Sequence, residues 1–246
     1  MSVRVRVLED APAVARAAAD VVAAAVRADA RIVLALPTGR TPIPLYDELA
    51  RRHAAGAIDL SRARGFNLDE LALPRNDPRT FRVFMEGQVW GRTGLSRERC
   101  DIPDGSASDL DAECRRYEDA IEAAGGLDLA LLGVGIDGHV AYNMPGPLRL
   151  PTHVTRLPDG LAASLEVTPE GWPLRAITMG IGTLRSARRI LVLATGETKA
   201  TAVRILVHGP EDPQWPCSFL ANHDNADLLA DPGAARALDG GGPELM

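Results

Sequence analysis

Two side chains suited to proton transfer, Asp137 and His139, lie two residues apart in a glycine-rich segment that follows an apolar run. An aspartate at this spacing can orient an imidazole and fix its tautomer, which leaves the ring able to move protons. With Gly133, Gly135 and Gly138, the segment also matches the G-x-G-x-x-G pattern of dinucleotide loops. We exclude a dinucleotide site, because proline and glycine follow soon after and no strand with an acidic end lies at the required distance.

A second polar segment, Asp69 and Glu70, directly follows another apolar run. A carboxylate at such a position can act as a general base or acid. The usual alternative for an Asp-Glu pair is helix capping or a solvated surface. Its position at a strand end favours a functional role for one of the two carboxylates.

Two further segments have the composition of anion-binding loops. One contains Thr38, Gly39, Arg40 and Thr41, and the other ends in Lys199, which is a single lysine among 27 basic residues. Each precedes a predicted helix, and the free N–H groups at helix N-termini bind anions. Ordinary N-capping by threonine is the alternative for either loop alone. Two such loops together predict that the ligand carries a phosphate group.

Short apolar runs alternate with amphipathic segments along the chain, which is typical of βαβ units around a parallel sheet. The pattern predicts strands at 3–8, 31–36, 65–68, 127–132 and 189–194, and helices at 11–28, 43–53, 78–90, 109–124 and 197–207. Each polar segment described above follows a predicted strand. Because loops at the carboxyl ends of parallel strands share one edge, we expect all four to converge there. We expect the segment 145–173 to be irregular, because it is rich in proline and glycine.

Composition limits the class of protein. The chain has 246 residues and a net charge of −6, which argues against nucleic-acid binding. Its three cysteines lack metal-ligand or disulfide-scaffold spacing, so we expect no metal site, and no signal or membrane-spanning segment is evident. We therefore predict one cytoplasmic domain over residues 1–238, a disordered tail over 239–246, and no cofactor. The sequence leaves the oligomeric state open, a homo-oligomer included.

The four segments together resemble the glucosamine-6-phosphate deaminase/isomerase family and its 6-phosphogluconolactonase relatives. The matching stretches are LALPTGRTPIPLYDELA, GFNLDELALPRNDPRTFRVFM, LDLALLGVGIDGHVAYNMPG and ITMGIGTLRSARRILVLATGETKA. The resemblance implies a three-layer α/β/α Rossmann-like sandwich with a mostly parallel sheet. It also implies a phosphorylated amino sugar as the ligand.

The resemblance assigns roles to individual residues. Asp69 matches the base that removes the C2 proton, with Glu70 as a reserve acid. His139, with Asp137 as its partner, matches the histidine that assists ring opening. Asn143 follows the deaminase form of the motif, and Phe81 takes the place of a tyrosine near the sugar. The loops of Thr38 and Lys199 match those that hold the 6-phosphate.

Two departures from the deaminase pattern affect the expected chemistry. Deaminases have DGHxAFNEP, whereas this chain has DGHVAYNMP, so Met144 stands where a glutamate is expected. Methionine can neither ionise nor relay a proton. The second glycine of the phosphate loop is replaced by Arg40.

The retained base and the missing glutamate favour elimination over isomerisation. Our leading hypothesis is therefore dehydration of N-acetylglucosamine 6-phosphate, in which the C3 hydroxyl leaves after Asp69 removes the C2 proton. The alternative is a glucosamine-6-phosphate deaminase that releases ammonia and forms fructose 6-phosphate. A 6-phosphogluconolactonase and a sugar-phosphate sensor without turnover are further alternatives.

Overall fold

The computed structural model describes residues 3–166 and 173–238. The strands within these ranges are β1 (Arg4–Val7), β2 (Val33–Leu36), β3 (Arg64–Asn67), β4 (Asp69–Leu71), β5 (Cys100–Asp101), β6 (Leu129–Gly133), β7 (His153–Arg156), β8 (Arg175–Thr178), β9 (Arg189–Ala194) and β10 (Ala226–Ala230). The α-helices are α1 (Ala11–Ala28), α2 (Ile43–Ala54), α3 (Phe81–Gln88), α4 (Leu110–Ala123), α5 (Asp159–Ser164), α6 (Ile181–Arg185), α7 (Ala200–His208) and α8 (Pro232–Ala235). None of these helices has both the length and the apolar character needed to cross a bilayer.

Two sheets organise the described chain. The larger has the strand order β1-β10-β9-β6-β2-β3-β5, and its paired strands are parallel. The smaller has the order β4-β8-β7 and is antiparallel. The predicted mostly parallel sheet between helical layers is therefore confirmed.

Alternating side chains on the central strands explain the three layers. In β2, Val33 and Ala35 belong to an apolar core that includes residues of α4, α6 and α7. Leu34 and Leu36 belong to a second core, which includes residues of α1, α2 and α3. Because successive side chains of a strand point to opposite faces, an apolar strand must be covered on both sides. The continuous apolar runs in the sequence correspond to these doubly covered strands.

The structure corrects three expectations about local structure. Asp69 and Glu70 do not lie in a loop: they belong to β4, where Asp69 is in register with Thr178 of β8. The segment 145–173, predicted to be irregular, contains β7 and α5. Helix α3 begins at Phe81 rather than at residue 78, because the Thr80 side chain caps it by accepting from the Val83 N–H. The predicted tail lies outside the described residues, and the single-domain organisation stays a prediction.

Two buried tyrosines hold the ends of neighbouring strands at the edge where the polar segments meet. Tyr46 of α2 donates from its hydroxyl to the carbonyl oxygen of Pro37, just after β2, at 2.6 Å. Tyr117 of α4 donates to the carbonyl oxygen of Asn67, the last residue of β3, at 2.7 Å. The two helices cover opposite faces of the sheet, so each face fixes one strand end.

The three tyrosines of the chain provide a test of this anchoring. Tyr46→Phe and Tyr117→Phe should each lower the free energy of unfolding by about 1–3 kcal/mol, because each leaves a buried carbonyl without its donor. Urea denaturation monitored by circular dichroism measures the change. Tyr142→Phe is the control, because the Tyr142 hydroxyl makes no hydrogen bond to any described residue, and it should cost less. Equal losses in all three variants would argue against strand-end anchoring.

Candidate active site

A cavity of about 280 Å³ opens at the carboxyl edge of the parallel sheet, beyond the ends of β2, β3 and β6. Segments far apart in the chain meet around it, as expected for a doubly covered parallel sheet. The residues predicted from sequence that line this cavity are Thr38, Gly39, Arg40, Thr41, Asp69, Gly135, His139 and Lys199. The expected convergence of the four polar segments therefore holds in the structure.

The anion-binding end of the cavity is formed by the turn after β2 and by Lys199. Gly39 has φ of +90°, a left-handed conformation that only glycine adopts readily, so the turn can present its backbone to the cavity. The Lys199 side chain is half-buried at the end of a short 3₁₀ turn, residues Glu197–Lys199, that leads into α7. Burial lowers the pKa of Lys199, and the negative charge of Asp137 opposes that shift.

Asp69 is the candidate base of the cavity. It is only 5% exposed, and burial raises the pKa of its carboxyl to about 8, with a further increase from the neighbouring Glu70. A hydrogen bond with the Thr38 side chain lowers the pKa of Asp69, but by less than burial raises it. A carboxylate whose pKa is close to neutral pH holds a proton more strongly than an ordinary aspartate, which suits proton abstraction from carbon.

Asp137 and His139 form a hydrogen-bonded pair. The Asp137 carboxylate lies 2.6 Å from Nδ1 of His139 and also accepts from the His139 backbone N–H at 3.2 Å. Burial acts to raise the pKa of Asp137, but the hydrogen bond and charge of His139 hold it below its usual value. With Nδ1 engaged, the Nε2 atom remains for proton transfer.

Glycines make room for this pair. A Cβ atom on Gly135 would overlap the His139 ring and the Asp137 carboxylate. Gly138 has φ of +79°, and a Cβ there would approach the Trp215 ring to 2.7 Å. Gly138 does not line the cavity: its carbonyl accepts from the Cys217 N–H at 2.8 Å. The glycine pattern therefore accommodates the Asp137–His139 pair rather than a pyrophosphate.

Three other residues predicted for the site lie outside the cavity lining: Asp137, which contacts His139 from behind, Glu70 and Asn143. Glu70, expected as a reserve acid, accepts from the backbone N–H groups of Leu71, Phe81 and Arg82 at 2.7–2.9 Å. It thereby anchors the N-terminus of α3, and burial raises its pKa despite these three bonds. Asn143, expected at the ligand, donates through Nδ2 to two backbone carbonyls. Both side chains shape the walls of the site from behind.

Apolar groups complete the cavity. Phe81 lines it and stacks on Tyr142, with 5.9 Å between the ring centroids. Leu161 and Leu165 line it from α5 and the residue that follows, and sequence analysis missed them because their segment was expected to be irregular. Ala141 also lines it, with the uncommon φ of +50° for a residue that has a Cβ. No pattern in the sequence signals that conformation.

Met144 does not supply an acid to the cavity. Its side chain is partly buried and packs against the apolar core on the α1–α3 face of the sheet. Among the described residues that line the cavity, Asp69 carries the one carboxylate. The residue that differs from the deaminase pattern is therefore an apolar neighbour of the site.

The fold and the site define an α/β/α protein with a candidate acid–base centre and a candidate anion-binding turn at the carboxyl edge of a parallel sheet. The family model described as glucosamine-6-phosphate isomerases/6-phosphogluconolactonase matches residues 9–229. The chain belongs to this enzyme family.

Relatives with similar sequences cover most of the chain. A glucosamine-6-phosphate deaminase of Arthrobacter sp. (strain FB24) is 40% identical over 226 residues, which span 90% of this chain and 87% of the relative. Glucosamine-6-phosphate deaminase 1 of Giardia intestinalis is 40% identical over 224 residues, which span 89% of this chain and 84% of the relative.

Solved structures agree with this assignment. A monomeric glucosamine-6-phosphate deaminase superposes with a TM-score of 0.89 at 34% identity, covering 95% of this chain and 99% of that one. The 6-phosphogluconolactonase of Leishmania guyanensis superposes with a TM-score of 0.76 at 22% identity. The superposition covers 98% of this chain and 100% of that one, and it shows the shared fold.

Burial of Asp69 predicts a stability cost that depends on pH. The folded protein holds the Asp69 proton up to about pH 8, whereas an unfolded chain releases it near pH 4. Stability should therefore fall as the pH rises between these values. Asp69→Asn removes this cost and should raise the free energy of unfolding at pH 8 by at least about 1 kcal/mol, with little change at pH 4. Urea titrations at both pH values measure it.

Glu70→Gln is the matched comparison, because the neighbouring carboxyl is buried but fully used as an acceptor. An amide NH₂ in place of one oxygen would face a backbone N–H, so this variant should lose stability at both pH values. Stabilisation by Glu70→Gln, or an Asp69→Asn effect independent of pH, would contradict the assignment.

Proposed function

We propose that this chain converts glucosamine 6-phosphate to fructose 6-phosphate and ammonia. The observation that carries the proposal is a single cavity lined by a buried basic carboxylate, by the histidine of an Asp–His pair, and by a turn and lysine suited to a phosphate. The deaminase names of relatives about 40% identical support it.

Substrate binding begins at the phosphate. Backbone N–H groups of the turn around Gly39, the Thr38 and Thr41 hydroxyls and the Lys199 ammonium would hold the phosphate oxygens. Half-burial strengthens the attraction between the ammonium and the phosphate, because less water screens it. The sugar would then extend towards Asp69 and His139.

The chemical steps follow from the two acid–base groups. His139, oriented by Asp137, moves the proton between the C1 hydroxyl and the ring oxygen, so that the sugar opens to its aldehyde. Asp69 then removes the C2 proton, which the aldehyde has acidified, and an enolamine forms. Return of the proton to C1 gives an imine at C2. Water adds to C2 and ammonia leaves, which yields the ketose.

A second candidate is dehydration of N-acetylglucosamine 6-phosphate, favoured by Met144. Without a glutamate beside the Asp–His pair, proton return to C1 has fewer donors. The electron pair from the C2–H bond can instead expel the C3 hydroxyl, which takes a proton from His139 and leaves as water. The product carries a C2–C3 double bond conjugated to the aldehyde. An acetylated nitrogen favours this route, because an amide does not readily leave as ammonia.

Our sequence analysis preferred dehydration, and the comparisons instead favour the deaminase alternative. Both reactions share the first step at Asp69 and differ in where the proton or the leaving group goes next. The choice between them therefore depends on the groups near C1 and C3 and not on the base.

Product analysis with two substrates tests the proposal. The purified chain is incubated with glucosamine 6-phosphate and, separately, with its N-acetyl form, and ammonia and ultraviolet absorbance are followed. We expect ammonia from the free amine, with a loss of at least about 100-fold in Asp69→Asn because the base is removed. An absorbing product from the acetylated sugar, without ammonia from the free amine, would establish dehydration. Binding of either sugar without turnover would refute both reactions.

Replacing Met144 tests the role of the missing carboxylate. Met144→Glu should increase the rate of ammonia release by about tenfold, because it restores the ionisable group that the deaminase pattern has at this position. Initial rates at saturating substrate measure the effect.

Met144→Gln is the control, with similar size and polarity but no ionisable proton. A gain in the glutamine variant equal to that in the glutamate variant would show that polarity or space, and not proton transfer, limits the reaction.

A further inference from the structure

A second cavity, of about 430 Å³, is lined by Arg82 of α3, the residue that follows Phe81 of the candidate active site. The arginines that line it come from three separate segments: Arg75 from the loop after β4, Arg82 from the first turn of α3, and Arg97 from a 3₁₀ turn before β5. Three guanidinium groups therefore surround one space. We call this space the arginine cavity.

The positive charge of the arginine cavity is largely uncompensated. Among the described residues, neither Arg75 nor Arg82 forms an ion pair, and Arg97 reaches only an exposed Glu86 at 3.6 Å. Of the two acidic residues lining the cavity, Asp101 is already bound by Arg116 at 2.7 Å. Glu98 is fully exposed.

Two of the arginines are held in place. The Arg97 guanidinium lies over the Trp90 ring, 5.7 Å from its centroid. The Arg82 backbone N–H is fixed by the Glu70 carboxylate at 2.9 Å, and its side chain is half-buried. Burial lowers the pKa of Arg82, and so do the charges of Arg75 and Arg97, which outweigh Glu70 and Asp104. Like charges that line one space repel one another, and an anion between them offsets that repulsion.

We propose that the arginine cavity binds a phosphate-type oxyanion, at a site separate from the catalytic cavity. Guanidinium groups suit this ligand because their planar donor pairs match the oxygen spacing of a phosphate. The N-terminus of α3 does not contribute N–H groups to this site, because the Glu70 carboxylate already accepts from the first of them. Inorganic phosphate and the phosphate group of a larger metabolite share this chemistry.

Calorimetric titration of the full chain with inorganic phosphate tests the site. The titration uses a Lys199→Ala background, so that binding in the catalytic cavity does not mask it. Adding Arg75→Gln and Arg82→Gln should weaken phosphate binding at least about tenfold, because charge-assisted hydrogen bonds are lost. Arg92→Gln is the matched control, since it removes an arginine that pairs with Asp47 away from the cavity, and it should change the affinity less than twofold.

Two results of this titration would overturn the proposal: an unchanged phosphate affinity in the Arg75→Gln, Arg82→Gln variant, or an equal loss of affinity in Arg92→Gln. Phenylglyoxal modification of the unsubstituted chain gives a readout that needs no variant: phosphate should protect Arg75 and Arg82, but not Arg92, from labelling. Equal labelling with and without phosphate would also refute the site. Glycerol phosphate in place of inorganic phosphate distinguishes a monoester from the free ion.

Discussion

The buried carboxylate of Asp69 is the feature on which the rest of the site depends. It lies where the chain leaves the parallel sheet at the end of β3 and enters the antiparallel sheet as β4. Withdrawal from water raises the pKa of Asp69 to about 8, so the folded protein has a carboxyl that exchanges its proton close to neutral pH. The fold must offset the free energy of keeping this group buried, and the pairing of β4 with β8 contributes to that offset.

The neighbouring carboxylate, Glu70, shows how a one-residue shift along a strand changes the role of a side chain. Successive residues point to opposite faces, so Asp69 faces the cavity while Glu70 points to the start of α3. There it holds the N–H groups of Phe81, which lines the candidate active site, and of Arg82, which lines the arginine cavity. Helix α3 therefore contributes one lining residue to each of the two cavities.

The two proposed reactions share their first chemical step and differ in their product. The base and the Asp–His pair follow the family pattern, and the relatives are named deaminases. Met144 departs from that pattern and packs as an apolar residue. In the proposed reactions, this departure leaves the candidate base Asp69 in place and removes an ionisable group that the deaminase pattern contains.

The sequence alone determined the parallel α/β/α architecture and the convergence of four polar segments, because apolar periodicity and strand-end loops follow directly from backbone geometry. It did not determine β4 or β7, which are defined by antiparallel pairing with β8 between residues far apart in the chain, or the short helix α5. It also did not show that Glu70 and Asn143 would serve the backbone. Only the tertiary structure decided these roles, since burial and hydrogen-bond partners depend on contacts that no local pattern encodes.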